Sequence, residues 1–155
     1  MKKLNPAYAE VVKQVVNNSP FFSLISMEIK NLEPGHTRLE VVLEEKHLHP
    51  FGSVHGGVFA SLVDAAAYWA LYAEVDEAKW MATVEMKLNF LAPARAGKLV
   101  AEGRRIKLGR TLGLGEARVE DEEGKLLAHG IGTFMILPGQ GLSGCFPAKF
   151  LDAAG

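Results

Sequence analysis

Apolar residues recur at helical spacing over residues 6–17, where Tyr8, Val11, Val12, Val15 and Val16 fall on one face, and this predicts a short amphipathic helix. Asn17-Asn18-Ser19-Pro20 stops it, because proline disfavours the helical region for the residue before it. Phe21, Phe22, Leu24 and Ile25 follow as a compact apolar turn. The period then becomes two. Met27, Ile29 and Leu32 lead into the turn dipeptide Pro34-Gly35, and Leu39, Val41 and Leu43 alternate with Arg38, Glu40 and Val42, which together predict a hairpin. Residues 47–54 read as a loop punctuated by Pro50 and Gly52. Residues 56–73 are apolar on every side, the mark of a helix buried on most sides. Residues 81–91 alternate strictly, with Val84, Met86, Leu88 and Phe90 on one face and Thr83, Glu85, Lys87 and Asn89 on the other. Strands over 98–107, 111–120 and 125–137 complete the set, separated by Leu108-Gly109-Arg110 and Asp121-Glu122-Glu123-Gly124. The Gly/Pro/Ala-rich residues 138–155 are expected to be loosely ordered or packed on a neighbour.

The order is helix, two strands, a buried helix, then about four antiparallel strands. An α+β domain in which one sheet wraps one long helix satisfies it, because the apolar face of the sheet and the helix each need the other. The domain spans residues 27–137, with a helical segment at 1–26 packed on it and a tail at 138–155. Such a sheet has open edges, commonly protected by pairing with a second copy.

Composition narrows the class. With 155 residues, 48% of them hydrophobic, the chain builds one ordinary globular core. A formal net charge of −1 makes nucleic acid a poor partner. The longest apolar stretch is too short to span a bilayer and carries an acid, so no membrane association is expected. The lone Cys145 excludes an intramolecular disulfide, and Lys2 and Lys3 are not followed by the apolar run of a signal peptide; both fit a cytoplasmic protein.

The candidate chemistry lies at the buried helix. Asp64 is its only charged residue, and an isolated carboxylate on so apolar a segment is costly unless something stabilises it, which makes it a functional candidate. Gly56 and Gly57 put bare N–H groups at the helix N-terminus, suited to an anion or a polarised carbonyl oxygen. His47, His49 and His55 have no recognised metal-ligand spacing, and no metal is assigned to them.

The run His49-Pro50-Phe51-Gly52-Ser53-Val54-His55-Gly56-Gly57, followed by Asp64, resembles the hotdog-fold acyl-CoA thioesterases, in particular the PaaI-type branch of the 4-hydroxybenzoyl-CoA thioesterase superfamily. Thr83-Val84-Glu85-Met86, Asn89-Phe90-Leu91-Ala92-Pro93-Ala94, Gly109-Arg110-Thr111 and the segment from Ala128 to Phe134 are also similar, so the likeness covers about residues 27–137. It implies the hotdog fold and hydrolysis of an acyl-CoA thioester, with Asp64 as nucleophile or general base and the Gly57 amide as oxyanion contact. His55 orients the loop or touches substrate, and Thr83 stands near the attacking water. His49 stands where the family has Asn. The resemblance further implies substrate contacts from Gly56 and Ser61, an acyl pocket lined by Phe51, Phe59, Tyr68 and Trp69, and coenzyme A phosphates met by Arg95, Lys98, Lys107 and Arg110. No cofactor is needed, since coenzyme A enters with the substrate. The implied assembly is a homodimer or homotetramer, with His49, His55 and Gly57 of one chain facing Asp64 and Thr83 of another. Two alternatives stay open: a hotdog enoyl-CoA hydratase or dehydratase using His49 and Asp64, and an acyl-CoA-binding protein without catalysis.

Overall fold

The computed structural model describes residues 3–139 and 141–152. Its elements run β1 (Lys3–Leu4), α1 (Pro6–Asn17), α2 (Pro20–Leu24), β2 (Met27–Glu33), β3 (His36–Val42), α3 (Gly56–Tyr72), β4 (Lys79–Phe90), β5 (Lys98–Leu108), β6 (Leu112–Glu120), β7 (Leu126–Pro138) and β8 (Phe150–Leu151). Six strands form one antiparallel sheet in the order β2-β3-β5-β6-β7-β4, and β1 pairs with β8 apart from it. This is the mixed antiparallel architecture with a central helix that the hydrophobic pattern predicts.

The helix sits deep because the sheet is thin beneath it. Gly103 on β5 pairs with Thr37 and Ala117, and a Cβ built on it would lie 2.1 Å from the Ala66 carbonyl oxygen of α3. Only a residue without a side chain permits that approach. Ala66, Ala67 and Ala70 on the facing side of α3 are fully buried, as are Ala101, Leu99 and Val119 of the sheet.

The two sheet edges differ. Along β2, Asn17 at the end of α1 donates from its amide to the Ile29 carbonyl and accepts from the Ile29 N–H at 2.7 Å. It thereby occupies backbone groups that a second sheet would need, beside a register shift between Ile29 and Asn31. At the other edge, the 12-residue β4 has β7 on one side and no strand on the other among the described residues.

Two expectations need correction. Phe21 to Leu24 lie in a short helix, α2, entered through Pro20 at its first position. The tail is not loose where it is described. Lys149 is fully buried, and its Nζ donates to the carbonyls of Tyr72 at 2.7 Å and Val75 at 2.6 Å, below the C-terminus of α3. A cation there adds a donor to carbonyls at and just beyond the helix end and meets the negative end of its dipole. The ammonium also lies 3.9 Å from the centre of the Tyr72 ring, a cation–π contact. Burial lowers the Lys149 pKa to about 8, against the opposing pull of Glu77 and Asp76. The tail therefore packs on its own chain, while Gln140 and residues 153–155 lie outside the described set.

Candidate active site

The face of α3 that the sheet leaves partly open carries Gly57, Ala60, Ser61, Asp64 and Tyr68, a stripe at helical spacing on an otherwise buried helix. His55 is the N-cap, and its Nδ1 accepts from the Gly57 N–H at 2.8 Å. An N-cap acceptor satisfies one of the helix's unpaired donors, and here the ring takes the place of the usual Ser or Asp oxygen. The histidine is thus bonded to backbone, and the amide expected to meet an oxyanion already has a partner. The adjacent Gly56 N–H has none among the described residues. Ser61 donates to the Gly57 carbonyl at 2.7 Å.

Asp64 meets Thr83. The Thr83 hydroxyl donates to Asp64 Oδ1 at 2.8 Å. Strict alternation puts Thr83 on the face opposite Met86 and Leu88, and the structure corrects this. The β4–β7 register runs Thr83 to Phe134 and then Glu85 to Thr133, so Val84 is an extra residue in a bulge. The bulge reverses the alternation and turns Thr83 toward the helix, leaving Val84 exposed. Burial raises the pKa of Asp64 above the ordinary carboxylate value, while the Thr83 hydrogen bond, which favours the ionised form, pulls it down.

Asp64 and Thr83 open into a cavity of about 590 Å³ whose other walls are largely apolar. Tyr68 and Trp69 line it, together with Phe22, Met27, Met86 and Leu142, which the sequence did not single out. Leu142 carried no local signal, because its place depends on where Lys149 ties down the tail. Lys149 did carry one: it is a lone cation between apolar neighbours, the mirror image of Asp64.

Several predicted residues are not brought to this cavity. His49 lines a separate one of about 420 Å³ with Gly56, Phe59 and Phe90, and its Nδ1 accepts from the Phe51 N–H at 3.1 Å. Phe51 is 86% exposed on the loop, and Phe59 is core, packed on Phe90. His47 is buried, with Nδ1 accepting from the Glu44 N–H and Nε2 donating to the Ile25 carbonyl, so both ring nitrogens serve the fold. The four basic residues do not gather in one chain. Arg95, beside Gly52 of the loop before α3, and Lys98, paired to Glu40 at 3.2 Å, lie at the start of β5. Lys107 and Arg110 lie at the other end of the strand, about 30 Å away at the usual rise per residue.

The sequence profile of the thioesterase superfamily matches residues 51–128, which contain the His55 cap, the Gly56-Gly57 helix entry, Asp64 and Thr83. The chain belongs to the thioesterase superfamily. A putative esterase of Saccharolobus solfataricus is 33% identical over 125 residues, covering 81% of this chain and 83% of that one. Acyl-coenzyme A thioesterase 13 of Homo sapiens is 28% identical over 133 residues, covering 84% and 94%. Among solved structures, a thioesterase of Haemophilus influenzae superposes with a TM-score of 0.78 at 25% identity, covering 89% of this chain and 96% of that one. The fold is accordingly the hotdog fold of these enzymes, and the activity of this thioesterase-family chain is thioester hydrolysis.

Proposed function

We propose that this thioesterase hydrolyses an acyl-CoA to the free acid and coenzyme A, with Asp64 as the nucleophile or as the general base for water. The observation that carries this is the Asp64–Thr83 pair, a half-buried carboxylate held by one hydroxyl at the edge of a largely apolar cavity. Oδ1 is occupied by Thr83, which fixes the carboxylate and leaves Oδ2 to face the thioester carbon or a water. The human relative named as an acyl-coenzyme A thioesterase supports the substrate class.

The oxyanion contact is assigned to the N-terminus of α3. Negative charge developing on the carbonyl oxygen is met there by the helix dipole and by the amides of Gly56 and Gly57. Because the Gly57 N–H is held by His55, the incoming oxygen competes with that ring for it, with the Gly56 N–H beside it already available.

Gly57 and Asp64 are seven residues apart on one helix, about 10 Å, too far to act on one carbonyl. Within a chain, His49 and Asp64 likewise line different cavities. A second copy resolves this. Antiparallel pairing of two open β4 edges about a twofold axis near residues 85–87 sets the Thr83 end of one strand against the Phe90 end of the other. That arrangement brings the Asp64 cavity of one chain to the His49–Gly56 cavity of its partner, so the working unit is a homodimer or a tetramer built from it. Arg95, near the same helix end, is then the basic residue best disposed toward the coenzyme A phosphates.

The test is Asp64→Asn with free-thiol release as readout. Hydrolysis should fall by roughly 10²–10⁴-fold, the span usual for loss of an acid–base group. Thermal stability should hold or rise slightly, because a carboxylate whose pKa is raised by burial weakens the fold at neutral pH. Retained hydrolysis sinks the assignment.

A further inference from the structure

Resting on the hydrolase reading above, we propose that the Asp64 cavity takes an extended aliphatic acyl chain, and that Leu142 of the C-terminal tail, with Phe22 of α2, forms the wall that sets its length. The cavity is lined by the Asp64–Thr83 pair together with Met86, Met27, Phe22 and Leu142. None of those four side chains offers a hydrogen bond. A hydroxyl set against those four would go unpaired; the lining's own hydroxyls are those of Thr83, Ser61 and Tyr68.

Size points the same way. At roughly 30 Å³ per methylene, close to a water's share of liquid volume, a chain of about twelve carbons takes about 360 Å³. A single-ring acyl group takes little more than half of that, and the cleft, open on one side in the single chain, holds about 590 Å³. The walls are also anchored, so they select rather than yield. Met27 is buried in the core, and Leu142 packs against the core on a segment tied at both ends. One tie is the Gly139 N–H to the Ala78 carbonyl at 3.2 Å, and the other is Lys149 beneath the end of α3. The tail that sequence left without a role is thereby part of the substrate site.

The experiment measures kcat/KM by free-thiol release for saturated acyl-CoAs from four to sixteen carbons, with phenylacetyl-CoA and 4-hydroxybenzoyl-CoA alongside. Rates should climb by up to fourfold per added methylene until the wall is reached, with at least ten carbons accommodated. A flat series, or a maximum at either aromatic substrate, overturns the proposal. Leu142→Trp should lower the twelve-to-four-carbon ratio tenfold or more, and an unchanged ratio overturns it. If that variant does not fold, Leu142→Ala carries the test: the sixteen-to-twelve-carbon ratio should rise at least threefold, and no rise overturns the proposal. Calorimetry with the non-hydrolysable thioethers S-dodecyl-CoA and S-butyl-CoA separates the two claims. Thiol release from no substrate would sink the hydrolase reading alone, and the same variants' affinity ratio for the two thioethers would still decide the acyl wall.

Discussion

Thr83 on β4 and Asp64 on α3 are joined by a 2.8 Å hydrogen bond, and the bulge of β4 at Val84 is what turns Thr83 to the same side as Met86. The bond has a direction. The hydroxyl donates and the carboxylate accepts, so it favours the ionised acid and opposes the upward shift that burial imposes. Thr83→Val removes the donor and keeps the shape. The Asp64 pKa should rise further, and the acid limb of a pH profile of kcat/KM should move to higher pH. A profile that keeps its acid limb while kcat falls would assign Thr83 to the water rather than to the acid.

Gly103 and Ala66 define how deep the central helix lies. With 2.1 Å between the position of a Cβ and the Ala66 oxygen, Gly103→Ala forces two backbones apart. A loss of at least ~3 kcal/mol is expected, at the upper end of overpacking costs because neither partner is a flexible side chain. Urea unfolding measures it. A loss below about 1 kcal/mol would mean that the helix rides higher over the sheet than described.

Lys149 fastens the tail through two carbonyls of α3 and its following turn. Lys149→Met keeps most of the volume and removes that donor from both carbonyls; the desolvation that lowers the lysine's pKa offsets part of the loss, so a net loss of ~1–2 kcal/mol is expected. Limited proteolysis should cut the variant after β7 sooner than the unsubstituted protein. Unaltered stability and cleavage would show that the ammonium contributes nothing net to the fold.

Composite sites make a prediction by mixing. Asp64→Asn and Gly57→Val should each be inactive alone, the second because a Cβ at Gly57 would already lie 3.0 Å from His55 Nδ1 and displace the cap. If each site takes Gly57 from one chain and Asp64 from the other, a heterodimer of the two carries one intact site. Unfolding and refolding an equal mixture should then restore about a quarter of the activity, by random pairing in a twofold dimer. No recovery from a mixture shown by sedimentation to reassemble would place the whole site within one chain.

His49 holds its loop through Nδ1, which accepts from the Phe51 N–H. That is a bond an Asn side-chain oxygen also makes in a tight turn, so His49→Asn should keep the loop geometry.

Periodicity alone determined most of the architecture. The change from helical spacing to alternation, the turn residues between strands, and an apolar helix with one acid are local properties, and the elements follow them closely. Asp64, Gly57 and His55 were legible for the same reason, since a lone charge and a glycine pair stand out against an apolar background. Tertiary structure decided what local pattern does not encode. The bulge at Val84 arises from how β4 registers against β7, and it moved Thr83 from the wrong face to the acid. The tail looked structureless because Gly, Pro and Ala give no period, yet one buried lysine under a helix end fixes it and carries Leu142 to the cavity. Basic residues that group by turns in sequence stand at opposite ends of a strand, because an 11-residue strand separates what its two flanking turns suggest is close. Sequence spacing reports neighbours along one element; the cavity is assembled from residues on different elements, and only packing brings those together.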